Sequence, residues 1–129
     1  ESLRSNVLSM RKKMRLQLDK TNKNYFDLKN GSGGIGDIEF LVQFLILTYA
    51  KDEPQLIFFT DNIRQLDALF SSNFISEEHQ IALQEIYKAY RKEIHLLSLD
   101  GGTKMISAKS FDANINTVTN IWEQYFLEK

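Results

Sequence analysis

Apolar residues recur every three or four positions along most of the chain, which is the spacing of one face of an α-helix. The pattern predicts a first helix over residues 3–18, a third after Thr60 or Asp61, a fourth after Ser76 and a fifth from Ser110 or Asp112. Their apolar stripes are Leu3, Val7, Met10, Met14 and Leu18; Ile63, Leu66, Leu69 and Phe70; Leu83, Ile86, Tyr87, Tyr90, Ile94 and Leu97; and Phe111, Ile115, Val118, Trp122, Tyr125 and Phe126. Because the connections are mostly short, we expect an all-α domain, a helical bundle of about five helices.

The second predicted helix runs from near Asp37 to about Ala50 and reads DIEFLVQFLILTYA. It is apolar on nearly every side, so we expect it at the centre of the bundle. The range 19–36 before it is predicted as a loop that ends in the glycine cluster GSGGIG. After Pro54, the run QLIFF at 55–59 could be extended, and Gly101 with Gly102 should end the fourth helix.

Composition limits the class of protein. The 129 residues suit a single domain, 1–129, with a real core. The chain has no run of about 18 uncharged apolar residues and no apolar signal-peptide core, so no membrane association is expected. It has no cysteine, which excludes disulfides and thiolate metal sites and fits a cytoplasmic setting.

The charge is unevenly distributed. The formal net charge is −1, yet residues 1–30 carry eight basic and three acidic side chains, which leaves a balance of −6 for the rest. A basic first helix could meet nucleic acid or a phosphate-bearing site. The favoured interpretation is a solvated outer face, or docking onto an acidic neighbour, and no nucleic-acid partner is expected.

The glycine cluster is the first candidate for chemistry. Gly31, Gly33 and Gly36 match the spacing of the dinucleotide fingerprint, but a helix and a polar loop precede them and no alternating strands follow. A phosphate-binding P-loop is excluded because no Lys-Ser or Lys-Thr pair follows, and the kinase glycine loop lacks its valine. Glycines before a helix start still suit an anion, although Asp37 and Glu39 could cap the free amides themselves, and that is the favoured interpretation.

Two polar residues lie on a helix otherwise built for burial. Glu39 and Gln43 are four apart and share a face. A buried carboxylate needs a partner, and the candidates are Lys29, a basic residue of the first helix, or a group from an adjoining domain. Asp37 and Glu39 point to nearly opposite sides, so they form a poor catalytic pair or metal site. We expect one to face a partner and the other to cap the helix or face solvent.

The remaining candidates are weaker. His79 and His95 lie in no metal-ligand motif, so surface or half-buried positions are expected. No Ser-His-Asp arrangement can be argued from the local sequence. Trp122 and the tyrosines fit the apolar stripes and are interpreted as packing residues.

The segment FDLKNGSGGIGDIEFLVQFLILTYA resembles the signature of bacterial glutamine synthetase adenylyltransferases. The resemblance continues through TDNIRQLDAL at 60–69, YKAYRKEIH at 87–95 and the tryptophan-containing last helix. The forms DIEF and LTYA, with the closing IWEQYFLEK, are similar to the carboxy-terminal, AMP-transferring half of those bifunctional enzymes. The family motif maps onto Lys29, Gly33, Gly34, Ile35, Asp37, Ile38, Glu39, Phe40 and Gln43.

The resemblance implies an accessory helical domain beside an upstream polymerase-β-like nucleotidyltransferase domain. The parent would use ATP and magnesium to transfer AMP to a tyrosine of glutamine synthetase, and its other half would remove AMP by phosphorolysis under the control of glutamine and the PII signal protein. The family's metal-binding Gly-Ser and Asp-x-Asp motifs are absent here, so this chain should have no catalytic residue, bind no magnesium and transfer no AMP.

The motif residues are then expected to face the catalytic cleft. Lys29 and the glycine amides would steady phosphate or the partner domain, and Glu39 with Gln43 would hold the loop. The main alternative is an interaction module that docks glutamine synthetase or PII. The related PII uridylyltransferases share a similar helical domain, but their motif matches less well.

Overall fold

The structure is a computed structural model that describes residues 2–99, 101 and 105–127. Its helices are α1 (Ser2–Leu18), α2 (Ile35–Tyr49), α3 (Asn62–Ser71), α4 (Glu77–Leu99) and α5 (Asp112–Phe126), with a 3₁₀ segment at Pro54–Phe58. Two short strands, β1 (Tyr25–Asp27) and β2 (Met105–Ser107), complete it. The predicted all-α class and bundle of five helices are confirmed.

The second helix lies at the centre, as its all-round apolar sequence predicted. Helix α2 contacts α1, α3, α4, α5 and the 3₁₀ segment. It begins at Ile35, two residues earlier than expected. The reason is local: the amides of Ile35 and Gly36 donate to the carbonyls of Leu28 and Lys29, so the loop itself supplies acceptors for the first turn.

Two of the predicted helix starts are confirmed by their caps. The Asp61 carboxylate accepts from the Arg64 amide at 2.9 Å, and the Ser76 hydroxyl oxygen accepts from the His79 amide at 3.1 Å. Helix α5 begins at Asp112 without a side-chain cap. Gly101 follows α4 with a φ of +123°, whereas Gly102 lies outside the described residues.

Two segments differ from the prediction. Within the range 19–36, β1 pairs antiparallel with β2, and Phe26 lies opposite Ile106 with both side chains buried. The run at 55–59 is not extended, because Pro54 starts a 3₁₀ turn that buries Leu56. The apolar side chains of Ile57 and Phe58 remain exposed beside it.

Within the described part of the chain, no helix is both long enough and apolar enough to cross a bilayer.

Candidate functional site

Asp37 of the glycine motif lies at the centre of a buried ion cluster. Its Oδ1 is 2.7 Å from Arg11 Nε and 2.7 Å from Arg15 Nη2, and its Oδ2 accepts from the Gly33 amide at 2.7 Å. The arginines neutralise a carboxylate that is only 2 % exposed. The cluster joins α1 to the loop and to the start of α2, so Asp37 faces a partner within the chain.

The burial of Arg11 corrects the prediction that the basic residues of α1 lie on its outer face. Arg11 is 1 % exposed, and its guanidinium lies 5.3 Å from the centre of the Phe40 ring and donates to the Asn30 carbonyl. Lys12 and Lys13 are exposed as expected. The physical reason is pairing: a buried arginine is tolerated when a buried carboxylate neutralises it.

The loop at 28–36 uses its own amides. The amide of Gly31 donates to the Asp27 carbonyl at 2.8 Å, that of Gly34 to the Gly31 carbonyl at 2.9 Å, and that of Gly36 to the Lys29 carbonyl at 3.1 Å. The Gly33 amide donates to the Asp37 carboxylate. The expectation that the glycine amides would hold phosphate is therefore wrong for these four residues, because each already has an acceptor.

Gly33 shows why glycine is needed in this loop. Its φ is +89°, and a Cβ there would lie 2.8 Å from Ile115 Cγ2 of α5. Its carbonyl accepts from the hydroxyl of the fully buried Tyr90 of α4 at 2.8 Å. Burial raises the pKa of Tyr90 above its ordinary 10.0, with a further contribution from the charge of Asp37. The phenol therefore stays protonated, and α1, α2, α4 and α5 together fix the loop.

Glu39 points away from this cluster, as its spacing from Asp37 predicted. It is half-buried and lines an open cleft of about 390 Å³. Gln43, one turn further along α2, is exposed and does not line the cleft. The loop is thus held by Asp37 and not by Glu39 with Gln43.

The cleft lies between the loop and α4. Its polar lining consists of Lys29, Glu39, Tyr87, Arg91, His95 and Ser98. The structure therefore brings Lys29 and Glu39, two motif residues, to one cleft, while Gly33, Gly34 and Asp37 form the support behind it.

The α4 side of this cleft was not identified from the sequence, which placed Tyr87 in the core stripe and His95 at a surface or half-buried position and gave Arg91 no role. Residues 87, 91, 95 and 98 are three or four apart, so a polar stripe beside the apolar one was the available signal. Burial raises the pKa of Tyr87; the charge of Glu39 adds to this rise, and Arg91 opposes it. The Arg91 guanidinium lies 5.9 Å from the centre of the Tyr87 ring.

In the described ranges, no three His, Cys, Asp or Glu side chains lie close enough to hold a metal. The Asp37 carboxylate is occupied by two arginines and an amide. His79 Nδ1 lies 2.8 Å from the Tyr125 hydroxyl, and His95 is exposed.

The family comparison assigns this five-helix bundle to the helical domains related to nucleotidyltransferases. A family model described as GlnD PII-uridylyltransferase matches residues 3–105, which include α1 except Ser2, the glycine loop and all of α2, α3 and α4. The chain belongs to this family.

Proposed function

We propose that the chain is the helical domain of an enzyme that transfers AMP from ATP to a tyrosine of glutamine synthetase. The observation that carries the proposal is the rigid loop of the DIEF motif, which four helices hold in place while Lys29 and Glu39 reach an open cleft beside it. A preorganised wall of this kind suits a domain that positions a reaction carried out by its neighbour.

The side chains of this chain indicate how it would share the reaction with the upstream domain. The upstream polymerase-β-like domain would bind ATP and magnesium and carry the chemistry, whereas this chain would form one wall of the cleft. The protein would act in the cytoplasm with glutamine synthetase as substrate and PII as regulator, and would thereby control nitrogen assimilation. The DIEF and LTYA sequences support assignment to the AMP-transferring half.

A second candidate is favoured by the family description, which refers to uridylylation of PII. In that case the same helical domain would support transfer of UMP from UTP to PII. The long motif around Gly33 and Asp37 favours the adenylyltransferase, since its resemblance extends through 60–69 and 87–95 as well.

The two candidates are separated by a labelling experiment on the full-length enzyme. Radiolabelled ATP or UTP is supplied with glutamine synthetase or PII as acceptor. We expect label from ATP on glutamine synthetase, and label from UTP on PII alone would refute the proposal.

The role of the cleft is tested by Glu39→Ala in the same enzyme. We expect AMP transfer to fall about tenfold, a loss of roughly 1.4 kcal/mol of transition-state stabilisation, with the free energy of unfolding nearly unchanged. Asp52→Asn, an exposed change in the turn after α2, is the control. Unchanged transfer by a stable Glu39→Ala enzyme would remove this role.

A further inference from the structure

The cleft beside the glycine loop concentrates basic side chains that lack acidic partners. Lys29, Arg91 and His95 all line it and all are exposed. Among the described residues, salt bridges are formed by Arg11, Arg15, Arg64 and Lys88 but by none of these three. Within the described residues none of these three basic groups is held by a carboxylate, although Arg91 also contacts Tyr87, so the cleft can receive an anion.

The geometry of the cleft suits a compact anion. Arg91 and His95 lie one turn apart on α4 and Lys29 lies on the loop, so basic side chains from two elements line the same cleft. Ser98 contributes no free hydroxyl proton, because its Oγ donates to the Ile94 carbonyl at 3.0 Å. At about 390 Å³, the cleft is a small-molecule space and not an extended groove.

The charges in the cleft favour an anion. Lys29 and Arg91 are basic side chains, and Glu39 on the α2 side is a single opposing carboxylate. A phosphate chain carries several negative charges and offers oxygens that match the planar fork of an arginine.

We propose that Lys29, Arg91 and His95 bind the phosphate groups of a nucleotide or of a free phosphate chain. The inference rests on the proposed function, because a cleft at the wall of the catalytic site would meet the phosphates of the nucleotide or the released pyrophosphate. It moves the anion site from the glycine amides, which are occupied, to side chains of the loop and α4.

The test is an NMR titration of this chain with inorganic pyrophosphate, with circular dichroism as a check on folding. We expect saturable shifts of the amides of Lys29, Arg91 and His95, with a Kd on the order of 1 mM. Arg91→Gln and Lys29→Gln should each weaken binding about fivefold, while Glu39→Gln should tighten it about twofold, since one cation is lost in the first case and one opposing charge in the second.

Lys92→Gln is the matched control. Lys92 is an exposed neighbour of Arg91 on α4 and does not line the cleft. Its replacement by Gln removes the same charge as Arg91→Gln. Its affinity should equal that of the wild type. Equal weakening by Lys92→Gln and Arg91→Gln, or the absence of a saturable shift, would overturn the proposal.

Comparing affinities separates the two sources: tighter binding of ATP or UTP than of pyrophosphate indicates a nucleotide, and equal binding indicates a free phosphate chain. Inorganic phosphate, ATP and UTP should produce shifts at the same residues, and adenosine should produce none. Binding of adenosine, which carries no phosphate, would overturn the proposal. Binding of poly-glutamate when pyrophosphate does not bind would also overturn it. If the full-length enzyme labels PII from UTP while this chain still binds pyrophosphate, the proposed donor and acceptor are wrong but the phosphate site stands.

Discussion

The sharpest structural prediction concerns Asp37→Asn. The change leaves Arg11, which is 1 % exposed, with a buried charge and no counter-ion. It also replaces Oδ2 by an amide NH₂ that faces the Gly33 amide, so a donor meets a donor. Removing one member of a buried ion pair costs about 3–5 kcal/mol, and the 27 % exposure of Arg15 places the expected loss near the lower end.

The assay is urea unfolding followed by circular dichroism, with Asp52→Asn as the exposed control that should stay within about 0.5 kcal/mol of wild type. Because a domain of this size is stable by about 5–15 kcal/mol, the variant should remain folded and measurable. Arg11→Met removes the positive charge of the Arg11–Asp37 ion pair. The double variant with Asp37→Asn should be less destabilised than the sum of the single changes. A loss below about 1 kcal/mol for Asp37→Asn would refute the reasoning.

Three further changes test the same framework by urea unfolding. Gly33→Ala should cost about 1–3 kcal/mol, because its φ is +89° and the new methyl group would meet Ile115; an unchanged midpoint would contradict this strain. Asp61→Ala should cost about 1 kcal/mol through loss of the α3 cap, and Asp61→Asn should restore most of it. Tyr90→Phe should cost about 1 kcal/mol below pH 10, since it removes the bond to the Gly33 carbonyl. The raised pKa means that the native state holds this proton more tightly, so wild-type stability should fall as the pH rises above 10.0, and the fall should be shallower in Tyr90→Phe.

The helices could be predicted because their signals are local. Asp61 and Ser76 are capping residues directly before apolar stripes, and both caps are present. The apolar character of α2 on every face placed it correctly at the centre. Such features depend on neighbours within one or two turns, which a single sequence displays.

The buried ion cluster could not be predicted with the same ease, because Arg11 and Asp37 are 26 positions apart. A signal did exist. Arg11 lies four residues after Val7 and three before Met14, so it occupies the apolar stripe itself, whereas Met10 is 53 % exposed. An arginine within an apolar stripe indicates a buried partner, and the outer-face prediction overlooked this position.

The cleft was only half predicted, for a related reason. Lys29 and Glu39 belong to one continuous motif, but Arg91 and His95 reach them only through the packing of α4 against α2. The strand pairing was missed since three residues are too few to show alternation, and the partner strand is remote in sequence.

That strand pairing has a consequence for how the chain folds. Helical bundles fold quickly when their contacts are local, but Phe26 and Ile106 lie 80 positions apart and must still meet. Closing the chain between the two strands costs conformational entropy before their pairing contributes any stability. The glycine loop follows β1 directly and Gly33 lies against Ile115 of α5, so its full set of native contacts requires β2 and α5. A growing polypeptide that ends before Ser107 contains the whole motif but has not yet formed the wall that the motif builds.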